Sequence, residues 1–276
     1  VFTRPVTLSG GGMFPMGDDM KLMKGRIRFD ASAGRVRYPL LGTTLDLGRT
    51  KGEVLISPQW VVVDKMMGTI WDGTFTGRIL AQIDDGDALN GSFVLQDMNL
   101  TSIGKSYDKK MEKATVHGAI EFSSKGGNMN SIQAKGEAAL VHGDLVEIPL
   151  FGFLGEALSN YIPGLGHLIN YKISRADCDF SIEKGYVRTS NFAAQGSNMS
   201  LEGGGWIRLS DLQVNSDFKL GLRGLPGFIT SPVFLLAGGL FQVRGTGPLS
   251  NVSWNFAPFS GGKAPVPPAA APARKR

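Results

Sequence analysis

The sequence predicts an all-β protein, mainly antiparallel, with one or two short helices. Hydrophobic side chains alternate with polar ones along most of the chain, the period of a strand with one dry and one wet side. Short breaks rich in Gly, Asn and Asp separate these stretches, and they are too short to hold crossover helices. The third observation is scale. About 250 ordered residues, at roughly 12–16 per strand and turn, give on the order of 15–20 strands. Open twisted sheets rarely exceed about 10 strands without curling or splitting, so the sheet must be a sandwich, a barrel or a long curled trough.

The stretches run in order. In Met23 to Asp30, Met23, Ile27 and Phe29 share one side while Lys24, Arg26, Arg28 and Asp30 share the other. The same rhythm recurs at Phe75 to Ile83, where Phe75 and Ile79 face alike, and at Val116 to Phe122, with Ile120 and Phe122. It continues at Ala134 to Leu140, at Phe180 to Glu183 with Phe180 and Ile182, and at Val252 to Phe256 with Trp254 and Phe256. Hairpin turns are expected at Asp84-Asp85-Gly86-Asp87, Lys125-Gly126-Gly127-Asn128, Glu183-Lys184-Gly185 and Gly196-Ser197-Asn198.

Two apolar segments break the rhythm. Ile148 to Ile169 accommodates a helix over about Leu150 to Tyr161, limited by Pro163 and its neighbouring glycines. Leu225 to Leu240 is interrupted by Pro232. Neither is uniform enough to span a bilayer, which takes about 20 apolar residues. The charge-rich stretch Lys105 to Lys113 is a third possible helix and reads as an exposed face. Residues 1–258 form the β-rich region. Residues 259–276, rich in Pro and Ala with a basic end, form a tail expected to be disordered. The start at Val1 reads as a fragment or a processed chain.

Composition narrows the chemistry. The 276 residues carry 29 basic and 24 acidic side chains, a net charge of +5 too small and scattered to argue for nucleic acid. One cysteine, Cys178, excludes a disulfide framework and a multi-cysteine metal site. Its neighbours Asp177 and Asp179 disfavour a thiolate. His117, His142 and His167 form no metal-binding pattern, and no GxSxG elbow accompanies them. Gly10-Gly11-Gly12 and Gly203-Gly204-Gly205 do not continue as phosphate-binding loops and read as turns or bulges. The run Asp84-Asp85-Gly86-Asp87 lacks the later glutamate of a calcium loop. Nothing here points to an enzyme, a metal or a cofactor.

A family resemblance adds to this reading. The segments Gly143 to Leu158 (GDLVEIPLFGFLGEAL), Ala176 to Leu222 and Leu240 to Phe256 follow one another in the order of the C-terminal region of the AsmA-like envelope proteins, relatives of TamB. The closing stretch, Val243-Arg244-Gly245-Thr246-Gly247-Pro248-Leu249-Ser250-Asn251, resembles that family's ending, with Val252 where proline is common. The first half, from LDLGRTKGEVLISPQW onward, is similar as well, so the resemblance covers roughly residues 20–258. It implies a periplasmic β-groove of the Gram-negative envelope, anchored in the inner membrane in the full-length protein. The implied partners are phospholipid and the inner or outer membrane, with envelope assembly proteins as further candidates.

Together these expectations describe a long curled sheet forming an open apolar groove that carries acyl chains during outer-membrane biogenesis. The floor candidates are Ile27, Phe29, Phe75, Ile79, Ile120, Phe122, Leu140, Phe180, Ile182, Trp254 and Phe256. The rival expectation is a structural or assembly scaffold of the envelope that carries no lipid.

Overall fold

The computed structural model describes residues 6–13, 23–37, 44–83, 88–106, 113–126, 129–144, 172–197, 199–222, 240–249 and 251–258. Among the described residues fifteen strands form one antiparallel sheet, and it is open, because the first and last of them do not pair with each other. The expected helix over Leu150 to Tyr161, most of the Leu225 to Leu240 segment, the Asp84 to Asp87 turn and the 259–276 tail lie outside the described residues.

Chain contacts divide the protein into two compact units, Val1–Leu140 and Val141–Arg276. The first holds β1 (Val6–Met13), β2 (Lys24–Ala31), β3 (Gly34–Arg37), β4 (Thr44–Ile56), β5 (Trp60–Ile70), β6 (Gly73–Gln82), β7 (Leu89–Asn99), β8 (Thr115–Ser124) and β9 (Gln133–Asp144) as far as Leu140. They follow chain order across the sheet, except that β4 pairs with both β2 and β5 while β3 forms a side branch on β4. The second unit holds β10 (Lys172–Glu183), β11 (Tyr186–Gly196), β12 (Met199–Arg208), β13 (Gln213–Leu222), β14 (Leu240–Pro248) and β15 (Ser253–Pro258), again in chain order.

Local chemistry sets the turns. Between β10 and β11, Lys184 and Gly185 have φ of 51° and 77°, the pair of left-handed residues that a two-residue hairpin requires. The β5–β6 hairpin uses Trp71 and Asp72 at φ 50° and 61°, where no glycine relieves the strain. A short helix, α1 (Leu100–Ser106), supports that tip. Trp71 Nε1 donates to Ser106 Oγ at 3.0 Å, and Ser102 Oγ donates to Asp72 Oδ2 at 2.5 Å. The helix itself starts on Asn99, whose side-chain oxygen accepts from the Thr101 N–H at 2.9 Å.

The helix overlaps the expected Lys105 to Lys113 stretch at Lys105 and Ser106, and residues 107–112 of that stretch lie outside the described residues. Asn99 starts the chain turning early, and the buried Leu100 holds the first turn. The two glycine triplets lie inside β1 and β12 rather than in turns. Gly203 pairs with Phe192, next to a register shift in β11.

Candidate functional site

In an antiparallel pair, residues directly opposite one another point to the same side, so register assigns each side chain to a face. One row across the first unit reads Gly10, Ile27, Val54, Val63, Ile79, Gly91 and Phe122. Beside it, Leu8, Phe29 and Gly52 form a second row, and Gly77, Phe93 and Ile120 a third. A fourth runs Gly68, Phe75, Leu95 and Gly118. The predicted residues Ile27, Phe29, Phe75, Ile79, Ile120 and Phe122 thus share one apolar face. Leu140 sits on the buried side of β9, where Lys135 and Glu137 are exposed.

Rings pave this face. Phe93 lies parallel to Phe122, with centroids 6.2 Å apart and planes within 1°, and tilts against Phe75 at 6.4 Å. Glycine on a neighbouring strand makes room for each ring to lie low. A Cβ at Gly77 would come within 2.4 Å of the Phe93 ring, and one at Gly91 within 2.6 Å of Phe122.

Coverage changes along the face. Near the Trp71 tip, Ile70, Phe75 and Met98 are buried, with Ile103 of α1 packed on them together with Leu45, Leu47, Phe93 and Leu95. Away from the tip, Ile27, Phe29, Ile79, Ile120 and Phe122 are half-buried, and Leu8 on the edge strand is 65% exposed. The opposite side of the same strands carries the charges, although Leu55, Val62 and Leu80 also face it and Val62 is buried. Arg28 and Arg26 reach Glu53 at 3.2 and 3.3 Å, Arg78 reaches Asp64 at 3.7 Å, and Arg49 pairs with Asp30 at 2.6 Å.

The second unit repeats the scheme with a different outcome. Register places Ile182, Trp254 and Phe256 on one face with Val187, Val214, Phe218 and Val243, and Phe180, two residues before Ile182 in β10, points to the same side. Here the centre is sealed: Leu201, Leu220, Phe241 and Val243 are at most 1% exposed. Phe256 is buried, while Phe180, Ile182 and Trp254 are half-buried around that core. The Trp254 ring covers Gly245 and stacks on Phe218 at 6.3 Å.

Sequence reasoning missed Val54, Val63 and Phe93. Phe93 is the centre of the ring row, but Ser92-Phe93-Val94-Leu95-Gln96 reads as a continuous apolar run because Val94 faces the polar side, 43% exposed. In β5 a bulge at Lys65, φ 49°, puts both Val63 and Met66 on the apolar side and breaks the alternation.

The reactive residues are placed structurally. Burial pushes the Cys178 thiol upward, and the Asp179 and Asp177 charges add to it. His117 Nδ1 accepts from the Asp97 N–H at 3.3 Å, where β7 bulges and Asp97 turns left-handed at φ 56°. Among the described residues no three His, Cys, Asp or Glu side chains cluster to hold a metal, and no helix is long and apolar enough to cross a membrane. No known protein-family model, no curated protein and no solved structure matches the chain.

Proposed function

We propose that the first unit carries acyl chains on its ring-paved face, as a lipid-transfer module of the cell envelope. The observation behind this reading is that the face is continuous across β2 to β8, apolar and only half-buried away from the Trp71 tip. Glycines Gly77 and Gly91 let the Phe93 and Phe122 rings lie close to the sheet, which suits a sliding chain. The resemblance to AsmA-like proteins supplies the setting, the periplasm between inner and outer membrane, and phospholipid as the cargo.

Magnitudes favour a two-chain lipid. Burying a CH₂ gains about 0.8 kcal/mol, so a chain of about fifteen CH₂ groups with half its surface covered gains on the order of 6 kcal/mol. Two chains reach about 12 kcal/mol before ordering costs, which separates a lipid that survives purification from one that washes off. Similar gains at each position along the strip also keep the barrier to sliding low. No nucleophile or metal takes part.

The second unit favours the rival reading, a lipid-free scaffold, since its apolar face is a closed core among the described residues. Lipid analysis of the protein purified without detergent, beside a soluble control of similar size, separates the two. The lipid-transfer reading predicts at least one phospholipid per chain, and Ile120→Lys reduces it about tenfold or more while leaving the fold intact. An empty protein, or an Ile120→Lys variant that unfolds, contradicts it.

A further inference from the structure

The polar side of the first unit holds a concavity of about 440 Å³ with a marked excess of positive charge. Arg26 and Arg28 come from β2, Lys51 from β4 and Lys65 from β5. Register puts Arg26, Arg28 and Lys51 on this side: Ser9 lies opposite Arg28, Asp30 lies opposite both Thr7 and Lys51, and Arg28 lies opposite Glu53. Four cations against the two carboxylates Asp30 and Glu53 leave 4 − 2 = +2.

Both carboxylates are already engaged. Asp30 is held by Arg49, from outside the concavity, through two bonds of 3.0 and 2.6 Å. Glu53 is buried, and its Oε1 receives Nε of Arg28 at 3.2 Å and lies 3.3 Å from Nε of Arg26. That shared oxygen fixes two guanidinium groups side by side, with side chains 61% and 71% exposed, and among the described residues their terminal N–H groups meet no other acceptor. Among the described residues, neither Lys51 nor Lys65 has a carboxylate within ion-pairing distance. Lys65 is also the left-handed residue of the β5 bulge, a strained position of the kind bulges use to aim a side chain.

We propose that this concavity is a binding site for a phosphate group. Lys51, Lys65 and the free guanidinium N–H groups of Arg26 and Arg28 take its oxygens, with the hydroxyls of Thr7 and Ser9 at the rim. A net +2 lining matches a dianion, and a planar fork of N–H donors fits the phosphate oxygens better than a lone carboxylate. The phosphate comes either free in solution or as a lipid headgroup. The charged residues of the site lie on the side opposite the apolar rows, with Phe29 and Gly52 also lining the concavity between them, and the site stands without the acyl-chain reading.

The test titrates the full chain at low ionic strength in two arms. One arm uses inorganic phosphate followed by calorimetry. The other uses phosphatidylcholine vesicles with and without phosphatidylglycerol, followed by sedimentation. Saturable phosphate binding, weakened about tenfold or more by Lys51→Glu with Lys65→Glu and retained by Lys51→Arg with Lys65→Arg, identifies a site for free phosphate. Binding confined to the phosphatidylglycerol vesicles, with the same dependence on both lysines, identifies a headgroup site. Binding in neither arm, or binding that the charge reversal leaves unchanged, overturns the proposal. Both lysines are exposed, so circular dichroism of the variants should match the parent protein.

Discussion

Ile79 of β6 and Leu220 of β13 occupy comparable places. Each lies within its strand on the apolar side of its sheet, yet Ile79 is half-buried and Leu220 is fully buried. The same alternation built both faces. What differs is what lies over them, and alternation does not encode that. In the first unit, α1 covers only the Trp71 end, and the rest of the face keeps partial access to solvent. In the second unit Leu201, Leu220, Phe241 and Val243 are at most 1% exposed. One face is therefore suited to a transient apolar guest, the other to holding the fold together.

Core truncation gives the largest contrast. Phe241→Ala empties a fully buried site and costs about 3–5 kcal/mol, whereas Ile79→Ala, at a half-covered site, costs roughly 1–2 kcal/mol. Urea unfolding of both variants measures the difference, and equal costs would erase the distinction between the faces. A smaller effect is expected at Gly91→Ala. The added methyl presses on the Phe122 ring, which turns up from the sheet at about 1 kcal/mol. Acyl-chain binding then falls more than stability does, measured by lipid content against the urea midpoint. A loss of stability alone would make the ring paving a packing device.

The smallest effect is one the two units should share. Asp30 is held below its ordinary carboxyl value of 3.8 by the hydrogen bond from Arg49, and Asp211 likewise by Arg208. Because the folded values are the lower ones, each pair stabilises the protein fully above the unfolded value and stops doing so as pH falls through the folded value. Asp30→Asn and Asp211→Asn should each slightly flatten the loss of stability on acidification, to a similar degree, because both pairs are exposed and screened. Stability curves between about pH 5 and about pH 2 read this out.

Much of the sheet was legible because its strands alternate cleanly. β2, β6, β8 and β15 lie where Ile27, Phe75, Ile120 and Trp254 put them, and Lys184-Gly185 turns as its composition predicts. β5 was harder to read because Val61, Val62 and Val63 run together and the Lys65 bulge then shifts the phase. The start of helix α1 was not legible, because Asn99 and Leu100 determine it and neither stands out in the sequence, while residues 107–112 of the expected charged stretch lie outside the described residues. Six floor candidates share a face in the first unit, and Phe93, the ring that joins two of them, hid in an apolar run. The basic concavity was not legible at all, since Lys51 and Lys65 come beside Arg26 and Arg28 only through strand pairing and a bulge.

The most direct measurement is photo-crosslinking with a phospholipid carrying a diazirine in its acyl chain, mapped by peptide mass spectrometry. The account predicts adducts on the strands bearing Ile79, Phe93, Ile120 and Phe122, and none at Leu220 or Phe241. Adducts that are absent, or spread evenly over both units, would contradict it.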